Sequence, residues 1–168
     1  IAKKFYEQNH LQGASGASQM STNIGLVYDD EIISMMSFGL HQRQYTPGIV
    51  LSRCCFKQNY SIIGGSQKMF KYFCEKYTPE EKIISWSSNR YSMGQHYEYL
   101  GFQKDSELKE DYFYFNPQTN QVLAKQSAQK KHLIVKGGIG KTENEMAKSL
   151  GYFKIHDCGK IRWSFSYK

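Results

Sequence analysis

The sequence predicts a mixed α/β domain with its strands gathered into one central sheet. Three observations carry this. Short apolar runs recur along the chain, rich in β-branched and aromatic residues and bounded by Gly, Asp, Asn and Ser. Aromatic residues make up 15% of the chain, most of them Tyr (13) and Phe (10), which favours strands. Two stretches, QKMFKYFCEKY and TENEMAKSLGY, carry helical periodicity instead.

The elements follow in order. Residues 1–9 (IAKKFYEQN) read as a helix end with Ile1 and Phe5 on one face. Residues 10–23 (HLQGASGASQMSTN) are rich in Gly and Ser and read as a loop of functional length. NIGLVY and EIISMMSF flank Asp29-Asp30 as an antiparallel hairpin. A polar loop closing on Pro47-Gly48 leads to the strand IVLSRCCF. Gly64-Gly65-Ser66 opens a helix whose stripe is Met69, Phe70 and Phe73, and Pro79 stops it. KIISW is a short central strand. YSMGQHYEYL is a helix capped by Gly101, and FQKD and DYFYF are two further strands. VLAKQSAQKKHLIVKGG reads as partly helical. Thr142 and Glu145 form a capping box for TENEMAKSLGY, with Gly151 as its C-terminal cap. YFKIH and KIRWSFSY flank Asp157-Cys158-Gly159 as a second hairpin. The expected division is a core of residues 1–117 and a basic extension of residues 118–168.

Composition excludes several classes. Of 168 residues, 40% are hydrophobic and 22% charged, too apolar for wholesale disorder. Three prolines exclude a Pro-rich linker. No apolar run reaches the roughly 18 residues of a membrane-spanning helix. The first residue is Ile and no signal pattern follows, so the chain is expected to be a piece of something longer. Cys54, Cys55, Cys74 and Cys158 form no C-x-x-C pair and no zinc spacing, which fits reduced thiols in a cytosolic protein. No acid occurs between Glu31 and Glu75, so no nuclease metal site is expected there.

The formal charge of +7 is uneven. Residues 1–102 hold ten basic and eight acidic groups (+2), and residues 103–168 hold twelve and seven (+5). Lys125, Lys130, Lys131, His132, Lys136 and Lys141 lie in a stretch with no acid between Asp111 and Glu143. Flexible cations without nearby acids suit phosphates. Gly137-Gly138-Ile139-Gly140 is expected to expose backbone N–H groups beside them. Arg43, between Gln42 and Gln44, is a candidate for base edges. Arg53 is expected to pair with a carboxylate or to line a cleft. His10, beside Asn9, is a candidate base contact or proton carrier, and His96 is expected on the surface. Solvated lysines, a flexible glycine linker and a structural histidine are the plainer readings of these features.

The strand KIISW, the GGSQK helix start and the helix ending Tyr97-Glu98-Tyr99-Leu100-Gly101-Phe102 together resemble the GNAT (Gcn5-related N-acetyltransferase) fold over roughly residues 20–115. NHLQG, LSRCC, IIGGSQKMFKYF, IISWSSNRYSMGQHYEYLGF and GYFKIHDCGK resemble a GNAT-like C-terminal domain of phage homing-endonuclease-like proteins. There such a domain follows a very-short-patch-repair or PD-(D/E)xK nuclease. More distantly, the core is similar to the phage DNA-modification protein Mom. The resemblance implies acetyl-CoA or a related acyl-CoA as cofactor, its pyrophosphate at Gly64, Gly65, Ser66 and Lys68, and Tyr97 as general acid. It also implies a DNA partner, no membrane, a bacterial host cytoplasm and a nuclease upstream. Ser61 stands where the family pattern has Gln or Arg, and Ser88 where the Mom comparison has a carboxylate. These departures favour a DNA-positioning domain with degenerate acyl transfer. An active N-acyltransferase, with Mom-like modification of DNA bases as one form of it, is the alternative, and a protein-interaction module the third reading.

Overall fold

The computed structural model describes residues 1–14, 22–40 and 48–168. These form two compact units. The first holds residues 1–87, 92–106 and 161–168, and the second residues 88–91 and 107–160.

The first unit is built on a mixed six-stranded sheet with strand order β1-β2-β3-β4-β9-β5. β1 (Thr22–Tyr28) and β2 (Glu31–Leu40) form the expected antiparallel hairpin. Asp29 and Asp30 turn it with positive φ (47° and 59°) at both corners, the twist a two-residue hairpin needs. In β2 every residue from Ile33 to Phe38 is buried. Successive side chains point to opposite faces, so such a run requires cover on both. Met36 and Phe38 pack with Met69, Phe70 and Phe73 of helix α2 (Gly65–Tyr77), while Met35 packs with Phe5 and Tyr6 of α1 (Ala2–Asn9). β3 (Ile49–Phe56) is antiparallel to β2 and parallel to β4 (Ile83–Ser88). The β3–β4 pairing covers only Ile49 with Ile83 and Val50 with Ile84. Beyond that point the two strands part.

Helix α3 (Gln95–Tyr99) is shorter than the sequence suggests. Gly94 breaks it at φ 92°, and a Cβ there would lie 2.1 Å from Cζ2 of Trp163. The backbone must therefore cross the buried indole closely before the helix starts. The other end follows expectation. The N–H groups of Gly101 and Phe102 donate to the carbonyls of Glu98 and Tyr97, closing the helix before β5 (Gln103–Leu108).

The second unit has its own antiparallel sheet, β7-β6-β8, so the single sheet expected from sequence is two. Its strands are β6 (Tyr112–Asn116), β7 (Gln121–Ala124) and β8 (Phe153–His156). Residues 121–124, expected to lead into a helix, pair with β6 instead. Helices α4 (Lys130–Val135) and α5 (Glu143–Ser149) supply Leu133, Met146 and Ala147 to a core with Tyr114, Leu123 and Ala128. The expected hairpin around Asp157-Cys158-Gly159 does not form. β8 pairs with β6, while β9 (Lys160–Phe165) lies between β4 and β5. The reason is burial: Ile161 and Trp163 of β9 enter the first unit's core, whereas β8 is exposed throughout. The two units consequently do not divide at residue 117.

Candidate active site

The parting of β3 from β4 is bridged by side chains. Ser85 Oγ lies 2.7 Å from the Leu51 carbonyl and 2.9 Å from Tyr97 Oη. The Tyr97 hydroxyl donates to the Trp86 carbonyl at 3.2 Å. α3 thus delivers the phenol of Tyr97 to the diverging strands, its ring stacked 5.8 Å from Trp163 and edge-on to Phe102. Burial raises the Tyr97 hydroxyl above the ordinary phenol range, and Ser85 and the Arg53 charge pull it partly back. A phenol held protonated beside weak acceptors has the state a general acid needs.

Arg53, on β3, neighbours the same place. Its Nε–H donates to the Gly13 carbonyl at 3.0 Å and its Nη1–H to the Ser52 carbonyl at 2.8 Å. No carboxylate pairs with it among the described residues, so the ion pair expected as one of its two roles does not form there. His10 follows α1, with Nδ1 accepting the Gln12 N–H at 3.1 Å. Burial and then the Arg53 charge lower its pKa, so the ring is neutral near pH 7. With Nδ1 occupied as acceptor, the neutral ring carries its proton on Nε2 and presents a donor there. Burial pushes the Cys54 and Cys55 thiols up to about 12 and about 11, so both stay protonated.

Gly64 caps the N-terminus of α2 with φ 71° and open space over its Cα. Gly65 is small for a different reason: a Cβ would lie 2.9 Å from both Ile62 and Phe56. No acid occupies the first turn, and Ser66, Gln67 and Lys68 follow. The first-turn N–H groups of a helix concentrate partial positive charge. These are the residues to which the resemblance assigns the pyrophosphate of an acyl-CoA. His96, expected on the surface, is half-buried, and its Nε2 has no partner.

The basic residues of the second unit are placed unevenly. Lys125 is ion-paired with Asp111 at 2.7 Å and lies over the Tyr112 ring. Lys130 Nζ donates to the Lys141 carbonyl, and His132 Nδ1 lies 3.2 Å from the Gln126 carbonyl. Lys131, Lys136 and Lys141 are exposed, with no acidic partner among the described residues. Of the four amides of the glycine turn, only that of Gly140 is left without an acceptor among the described residues. Gly137 and Gly138 donate to Ile134 and Leu133 carbonyls, Ile139 to Ser149 Oγ, and Lys141 to Glu145. Helix closure and capping consume them. Arg43 lies outside the described residues. No group of three His, Cys, Asp or Glu among the described residues is placed to hold a metal ion. Among the described residues no helix is long and apolar enough to cross a membrane.

Neither a family model nor a curated protein matches the chain. Solved structures do. The ribosomal-protein-S18-alanine N-acetyltransferase from Escherichia coli is similar at TM-score 0.56 and 9% identity, over 99% of this chain and 86% of that one. An acetyltransferase of the GNAT family from Desulfovibrio desulfuricans is similar at TM-score 0.51 and 12% identity, over 88% and 69%. The fold is that of the GNAT acyl-CoA N-acyltransferases.

Proposed function

We propose that the protein is an acyl-CoA-dependent N-acyltransferase with Tyr97 as general acid. The observation that carries this is the parting of β3 from β4 after Val50 and Ile84, with Tyr97 Oη set among Ser85, Leu51 and Trp86. Bound acyl-CoA would supply the activated acyl group. Tyr97 holds a proton for the departing sulfur, and the start of α2 holds the phosphates. Loss of the expected Gln or Arg at Ser61 leaves the helix N-terminus and Lys68 to carry that contact. Calorimetric titration with acetyl-CoA tests the reading. Saturable binding, weakened at least tenfold by Lys68→Glu with Ser66→Asp, is expected; no binding refutes it.

A second reading, DNA contact, is favoured by the exposed cations Lys131, Lys136 and Lys141. It makes the domain a positioning module of a phage homing-endonuclease-like protein, or a Mom-like modifier whose acceptor amine lies on a base. The nuclease chemistry of the first version would lie outside this chain. Charge reversal at Lys130 and Lys131 should weaken duplex binding and flatten its dependence on salt. Unchanged binding removes that segment from the DNA reading.

A further inference from the structure

Arg53 stands in a run of residues 32–74 that contains no acid. Its guanidinium is half-buried, and no ion pair among the described residues includes it. A guanidinium has five N–H donors. Two carbonyls, Gly13 and Ser52, hold it in one orientation, and its other N–H groups meet no acceptor among the described residues. Removing an ionised group from water without a partner is costly. Its neighbours do not compensate: Tyr6 and Cys55 are held protonated by burial, and His10 is neutral. Arg53 lies on β3 two residues past Leu51, whose carbonyl accepts from Ser85, and Ser85 Oγ touches the hydroxyl of Tyr97. A planar cation fixed by two carbonyls, with its remaining donors unengaged among the described residues, suits an oxyanion.

We propose that Arg53 binds an oxyanion, carboxylate or phosphate, carried by a small acceptor amine. The acceptor is then an acidic amine, such as an amino acid or a phosphorylated amine. The proposal rests on the acyltransferase reading for the word acceptor, but the oxyanion site itself does not.

Two experiments separate these. Phenylglyoxal modification of Arg53 in the wild-type protein, followed by peptide mass mapping, reads the site directly. Acetate or inorganic phosphate should slow modification several-fold while uncharged acetamide does not, and whichever anion protects identifies the source. No protection by either anion overturns the proposal. Protection by acetyl-CoA alone also overturns it, because Arg53 would then belong to the cofactor. Anion protection together with absent acetyl-CoA binding sinks the transferase reading and leaves the oxyanion site standing. The second experiment compares acetyl transfer to glycine and glycinamide, and to O-phosphoethanolamine and ethanolamine. The charged member of one pair should show at least tenfold higher kcat/KM. Arg53→Gln should erase that preference through KM, with Arg53→Lys restoring part of it. Equal rates within both pairs count against the proposal.

Discussion

Tyr97→Phe separates chemistry from packing at the candidate site. The substitution removes only the hydroxyl. The ring contacts with Trp163 and Phe102 remain, and Ser85 keeps the Leu51 carbonyl at 2.7 Å as its acceptor. The donation to the Trp86 carbonyl and the contact with Ser85 are both lost, a cost of about 1 kcal/mol of stability because Ser85 keeps its other acceptor. In a chain of 168 residues that lowers Tm by about 2–4 °C. A general acid contributes about 10²–10⁴-fold to rate, or roughly 3–5 kcal/mol of barrier. The variant should therefore lose at least a hundredfold in kcat while staying folded and binding acetyl-CoA normally. Because burial raises the phenol, the alkaline limb of the wild-type kcat profile should lie above the ordinary tyrosine range and vanish in the variant. Steady-state kinetics beside thermal unfolding decides it. A kcat within about threefold of wild type refutes the general-acid role and leaves Tyr97 a packing residue.

Other outcomes follow from the same geometry. Gly94→Ala should cost roughly 2–6 kcal/mol in urea unfolding, combining left-handed strain with overpacking against Trp163. An unchanged midpoint would mean that the indole gives way freely. Thr142→Ala removes the acceptor for the Glu145 N–H at 3.2 Å and should cost about 1 kcal/mol, read by denaturant unfolding of the second unit. Partial burial raises the Asp157 carboxyl, but N–H donors from Asp111 and Gly159 and the Lys160 charge outweigh it and hold the pKa below its ordinary value of 3.8. A carboxylate lowered on folding stabilises above its unfolded pKa, and the benefit disappears as pH falls through the folded value. Wild-type Tm should therefore drop as pH falls below 3.8, and Asp157→Asn should flatten that drop. Parallel Tm–pH curves for the two proteins would exclude the residue as the source.

Local signals were legible wherever a single segment contains its own explanation. The Asp29-Asp30 turn, the Thr142–Glu145 box and the glycine closures at Gly101 and Gly151 each depend on residues within a few positions. Tyr97 was legible through its motif, but its partners were not. Ser85 and Leu51 meet it only because two strands part, and nothing in either strand alone marks the point of parting. Arg53 had a sequence signal, a cation in a long acid-free run, but its lack of a carboxylate partner is a fact of the folded chain. The lysine run misled in part. Sequence shows an acid-free stretch, yet Asp111 folds back onto Lys125, and three of the four amides of the glycine turn are engaged within the unit.

The sequence by itself determined the helices, most strands and their order, because hydrophobic period, turn residues and caps act over short distances. Strand partners were decided only in three dimensions. β8 and β9 are neighbours in sequence with similar composition, and they enter different sheets because Ile161 and Trp163 find a buried place in one core while β8 finds an edge on the other. The candidate site has the same origin. Leu51 of β3, Ser85 of β4 and Tyr97 of α3 are far apart in sequence, and only the packing of α3 against the two strands brings them together.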